Sequence, residues 1–130
     1  MKRNIKHQVL DVVIQDAVNG IDANTISSVT TQLDNGYDVC TGVRLVELQN
    51  GGVTNYEVGI NDDSGIVHHR THNTDWKFDV SADMRSRTKP MHMLADGNNV
   101  EVVVKNTGAA IGTGEAIKLQ VIFELEKLED

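Results

Sequence analysis

The sequence predicts an all-β protein: one antiparallel β-sandwich of eight or nine strands, jelly-roll-like, with residues 1–130 as a single domain. Apolar residues recur at every second position, most plainly at Val100, Val102 and Val104 and at Ile117, Leu119, Val121, Phe123 and Leu125. That is the period of a strand with one buried face. Turn signals built from Asn, Asp and Gly separate such runs at roughly the 8–12-residue spacing of sandwiches and barrels. No segment sustains a helical period.

Residues Ile5 to Ile14 carry Val9, Leu10, Val12, Val13 and Ile14 among Lys6, His7, Gln8 and Asp11. A strand and a short amphipathic helix both fit, and the β-branched content favours the strand. Asn19-Gly20 then marks a turn. Thr25 to Leu33 is strand-like by propensity, and Asp34-Asn35-Gly36 reads as a tight turn of the hairpin kind.

Val39, Thr41, Val43 and Leu45 next alternate against Cys40, Gly42, Arg44 and Val46, with Gly42 marking a bulge or a close backbone approach. Asn50-Gly51-Gly52 turns the chain into a strand from Val53 to Ile60. Asp62-Asp63-Ser64-Gly65 turns it again, into a short segment from Ile66 through His68, His69, Arg70, Thr71 and His72. Trp76, Phe78 and Val80 alternate as a further strand. Ser81 to Pro90 lacks a period and reads as a loop or one helical turn. Met91, Met93 and Leu94 resume apolar character, and Asp96-Gly97-Asn98-Asn99 precedes the last two strands. The run Gly108 to Gly114 reads as an apolar hairpin tip able to touch a partner subunit.

The bulk chemistry excludes several function classes. A chain with 39% apolar and 24% charged residues is an ordinary globular one. A net charge of −7 disfavours both nucleic acid and anionic membranes as partners. Its single cysteine, Cys40, cannot form an internal disulfide and lies in an apolar run, so a small core residue is expected. The start, Met1-Lys2-Arg3-Asn4, has no apolar stretch behind it, so neither signal peptide nor membrane span is expected.

Four side chains have metal-ligand types close together: His68, His69, His72 and Asp75. On a strand, His68 and His69 point to opposite faces, and the spacing matches no established zinc motif. A polar loop, or an edge strand blunted against aggregation, is the preferred reading. Asn61 to Ser64 lacks the alternating acids and closing glutamate of a calcium loop and reads as a hairpin turn. The glycines Gly108, Gly112 and Gly114 lie between strands, not at a helix N-terminus, so they do not form a phosphate loop. No nucleophile-and-base pattern occurs, and no enzymatic activity or cofactor is expected. Trp76 and Tyr56 could form a sugar platform, but core packing is the simpler account.

Two surfaces are candidates for contact between copies. Arg85, Arg87 and Lys89 cluster their charge in an acidic chain and could meet the acidic end of a neighbour. On the last strand, the face opposite the core carries Lys118, Gln120 and Ile122, the last an apolar residue among polar ones.

In whole-chain character the sequence resembles small all-β structural proteins of bacteriophage particles, the capsid auxiliary or decoration proteins and single jelly-roll subunits. The features are a short, acidic, cysteine-poor chain, Thr-, Asn- and Gly-rich turns, and the closing strand Ile117-Lys118-Leu119-Gln120-Val121-Ile122-Phe123-Glu124-Leu125. The resemblance implies a non-enzymatic virion protein, assembled in the host cytoplasm, forming a homo-oligomer (trimer or larger) and meeting other virion proteins. The alternatives are a sandwich module binding carbohydrate or metal and a small cupin-like enzyme using His68, His69 and His72.

Overall fold

The structure, a computed structural model, describes residues 2–16, 18–53, 55–76, 88–107 and 109–129. Within them run eight strands: β1 (Lys2–Ile14), β2 (Ile26–Gln32), β3 (Val39–Asn50), β4 (Tyr56–Asp62), β5 (Gly65–His72), β6 (Lys89–Leu94), β7 (Asn99–Asn106) and β8 (Ile117–Glu129). They form two four-stranded sheets, ordered β1-β8-β3-β6 and β2-β7-β4-β5, and every pairing is antiparallel. The all-β sandwich expected from the sequence is what the chain forms.

The pairing has a nested logic. β1 pairs with β8, β2 with β7, β3 with β6 and β4 with β5, as in one long antiparallel ribbon folded at its middle. Wrapping that ribbon on itself adds the pairs β3:β8 and β4:β7. Successive strands therefore mostly change layer, and only β4 and β5 are sheet neighbours joined directly.

Alternation decides what each layer buries. On β8, Ile117, Leu119, Val121, Phe123 and Leu125 face inward, and on β7 Val100, Val102 and Val104 meet them from the other sheet. Tyr56, Val58 and Ile60 of β4 and Val12 and Ile14 of β1 join the same cluster. The inward face of β1 turns polar toward its start. There the Gln8 amide donates to Gln32 O at 2.9 Å and accepts from Asp34 N–H at 3.0 Å. One side chain thus imitates a ladder rung between sheets.

Several expectations change. β7 and β8 lie in different sheets, so residues 107–116 are a crossover and not a hairpin tip. Ile111 is fully buried within it and exchanges backbone hydrogen bonds with Ile21 at 2.8 Å in both directions. An apolar residue with a core to join is not left for a partner. Asp34-Asn35-Gly36 also crosses between sheets. Neither Asn35 nor Gly36 adopts positive φ; the Asp34 carboxylate instead accepts Gly36 N–H at 2.8 Å. β4 begins at Tyr56 and not Val53, and Val53 is buried in the preceding turn.

Trp76 ends a one-turn 3-10 helix, Asn73–Trp76, where a strand was expected. Its indole N–H donates to Val58 O at 3.1 Å, so burial and that bond place the ring, and no strand period is needed. Phe78, Val80 and the segment Ser81 to Arg87 lie outside the described residues. Lys89 and Pro90, expected in a loop, open β6. The bulge expected at Gly42 is present: the register of β3 shifts between Cys40 and Gly42 against both neighbours.

Candidate functional site

The sheet β1-β8-β3-β6 has an outer face that mixes exposed apolar side chains with polar ones. Reading across its register, Ile5, Glu126, Val39 and Leu94 form one row, and Val9, Ile122 and Arg44 another. Val13 stands beside Lys118, and Asp11 beside Gln120 and Val46. Ile5 is 54% exposed, Val9 52%, Val13 48% and Leu94 68%. Scattered surface hydrophobics are ordinary, but here they share one face and three of them share one strand.

Ile122 lies on this face as expected, yet only 8% of it is exposed. It sits on a central strand between Val9 and Arg44, so it forms the floor of the patch. Lys118 is exposed and Gln120 half-buried on the same face. The exposed apolar part is Ile5, Val9 and Val13 of β1 with Leu94 of β6, which sequence reading missed. Dividing Val9 to Ile14 by the strand period would have found its β1 part, because Leu10, Val12 and Ile14 share one face and Val9 and Val13 the other.

Of the expected basic cluster, Lys89 alone lies among the described residues. Arg85 and Arg87 lie outside the described residues. Lys89 is committed within the chain: its ammonium bonds Asp75 and lies 4.8 Å from the Trp76 ring centroid. Lys89, followed by the Thr71 hydroxyl at 2.8 Å, holds the Asp75 carboxyl below the usual carboxylate range.

The histidines are dispersed along β5, the edge strand of the second sheet. His68 Nδ1 bonds His69 O at 2.6 Å, and its ring packs at 4.7 Å from that of Trp76. For His72, Thr74 N–H donates to Nδ1 at 3.2 Å, which leaves Nε2 to donate to Asn55 Oδ1 at 2.9 Å. Among the described residues, no three His, Cys, Asp or Glu side chains are placed to hold a metal. β5 is bulged twice and carries polar side chains, so of the polar loop and the blunted edge strand that the sequence left open, the chain forms the edge strand. At the neighbouring turn, Asp62 Oδ1 accepts Ser64 N–H at 2.8 Å, closing the β4–β5 hairpin.

Tyr56 and Cys40 each carry a polar group into the interior. The Tyr56 hydroxyl donates to Glu47 Oε1 at 2.8 Å, and burial, then Glu47, raises the phenol above its ordinary range. Burial pushes the Cys40 thiol from 9.0 up to about 11. Cys40 is fully buried, the small core residue that its apolar setting suggested. The native state therefore keeps its proton where the unfolded chain would release it, and stability falls as pH rises from about 9 to about 11. A urea-midpoint series over that range is expected to be flatter for Cys40→Ala, and native Cys40 is expected to resist a thiol reagent until unfolding.

Comparison of the chain with protein-family models, with curated proteins and with solved structures finds no match. The fold and the surface define a class: an antiparallel β-sandwich whose sheet β1-β8-β3-β6 has an exposed, partly apolar outer face.

Proposed function

We propose that this chain is a structural protein of a virus particle, of the phage auxiliary or jelly-roll subunit kind, that acts by packing against copies of itself and other virion proteins. The observation that carries the reading is the outer face of β1-β8-β3-β6, where Ile5, Val9, Val13 and Leu94 are 48–68% exposed. Apolar surface gathered on one face gains free energy when a second surface covers it. The strand orders 1-8-3-6 and 2-7-4-5 support the jelly-roll part of the reading, since an eight-stranded ribbon wound on itself has that order. Fold analogy alone would not carry a function.

Sedimentation of the full chain is expected to give a trimer or larger assembly, and mass spectrometry of purified particles is expected to find the chain in multiple copies. A strict monomer at high concentration, or absence from particles, overturns the proposal. Two substitutions separate the patch from its floor. Val9→Lys is expected to weaken self-association at least tenfold with little change in melting temperature. Ile122→Lys is expected to lower the melting temperature, because it puts an ammonium where only 8% of the side chain reaches solvent.

A further inference from the structure

The four sheet edges are not equally protected. β2 is seven residues long, β5 is bulged twice, and β6 is six residues long with Pro90 in it. β1 differs from all three. Its 13 residues contain no proline, and its register with β8 runs unbroken from Lys2↔Glu129 to Ile14↔Ile117. A long unbulged edge presents alternate N–H and C=O groups along a straight line, the arrangement that another strand can extend.

We propose that β1 pairs with β1 of a second copy, antiparallel about a two-fold axis at Val9, so that two outer faces join into one eight-stranded surface. This rests on the self-association reading above and gives one of its contacts a partner and a register. A two-fold pairing alone closes at a dimer, so an assembly of three or more copies needs a second contact elsewhere on the surface. The outer face of β1 is self-complementary about Val9. Ile5 lies opposite the partner's Val13, His7 opposite the partner's Asp11, and Val9 opposite the partner's Val9. The half-exposed apolar residues thereby become cross-strand neighbours, and each Asp11 faces the partner's His7, an imidazole whose Nε2 also lies 3.8 Å from Glu124 of its own chain.

Neighbouring registers lose this match. An axis at Gln8 puts Ile5 opposite the partner's Asp11, and an axis at Leu10 puts Val13 opposite the partner's His7. Registers centred between residues set the outer face of one copy against the inward-facing residues of the other. Charge adds direction. The whole chain carries −7, which drives copies apart, while the paired stretch brings opposite types together locally.

Disulfide trapping tests the register. Val9→Cys, oxidised in the full-length chain, is expected to give a linked dimer, because facing residues in antiparallel strands lie within disulfide reach. Asp11→Cys alone is expected not to link. It would lie four residues from its own copy across the axis, about 13 Å at strand rise, whereas a disulfide requires Cα atoms within about 7 Å. A mixture of His7→Cys and Asp11→Cys chains is expected to link. Buried Cys40 does not compete for oxidation.

If sedimentation reports an oligomer but Val9→Cys does not link, the β1 pairing is wrong and the self-association reading stands. Asp11→Cys linking to itself as readily as Val9→Cys overturns the register. A monomer at high concentration with no linking overturns both.

Discussion

Phe123→Ala is expected to lower the unfolding free energy by about 3–5 kcal/mol, the range for deleting a buried aromatic ring from a packed core. Phe123 is fully buried at the middle of β8, the strand that pairs with both β1 and β3. Its cross-strand partners are Gln8 and Val43, and its ring belongs to the cluster shared by both sheets. Neighbours held in two ladders cannot collapse far into the space left behind, so the cavity cost adds to the lost transfer energy. Against a typical total of about 5–15 kcal/mol, such a loss leaves a marginal fold. A urea midpoint that drops at constant slope checks it. Leu94→Ala, at a position 68% exposed, is the control and is expected to change stability by about 0.5 kcal/mol or less.

Gly51→Val is expected to cost about 2–6 kcal/mol, from two effects at one position. Gly51 has φ +64°, where a β-branched residue is strained by about 1–3 kcal/mol. A Cβ there would also stand 2.7 Å from Ala116 O and 2.8 Å from Ala116 C, backbone atoms leading into β8. Overpacking of that kind adds about 1–3 kcal/mol. The turn cannot retreat cheaply, because Val53, two residues on, is buried and its N–H is bonded to Asn50 O at 2.9 Å. Gly112→Ala is the matched control: nothing lies within 4 Å of its added Cβ, and its φ is not positive. Its thermal midpoint is expected to match the parent or rise slightly, since Ala restricts the unfolded chain. A Gly51→Val midpoint equal to the parent would contradict both arguments.

The candidate surface was half legible in advance. Alternation places Ile122, Lys118 and Gln120 on the outer side of the last strand, and they lie there. Alternation cannot report how much of Ile122 its neighbours cover. Most of the exposed apolar residues came from the other end of the chain, on β1, whose place beside β8 follows from pairs such as Lys2↔Glu129. Lys89 illustrates the converse. Its charge was legible, but its commitment to Asp75 and Trp76 depends on β6 passing close to the 3-10 helix.

The sequence by itself determined the elements. A period of two is a local property, so strands on β1, β3, β7 and β8, and turns at Asn19-Gly20, Asn50-Gly51 and Asp62 to Gly65, could be read residue by residue. So could the fate of Cys40 and Tyr56, because apolar neighbours in a strand imply a buried face. The tertiary structure alone decided which strands meet, and whether a turn returns within its sheet or crosses to the other. The bulge at Cys40 and Gly42 also resets the parity of β3, so Cys40 and Val43 are both buried although three positions apart. The physical reason is the same throughout. Alternation distinguishes two faces of a strand, but only the opposing layer and the neighbouring strands decide which face is covered and how fully.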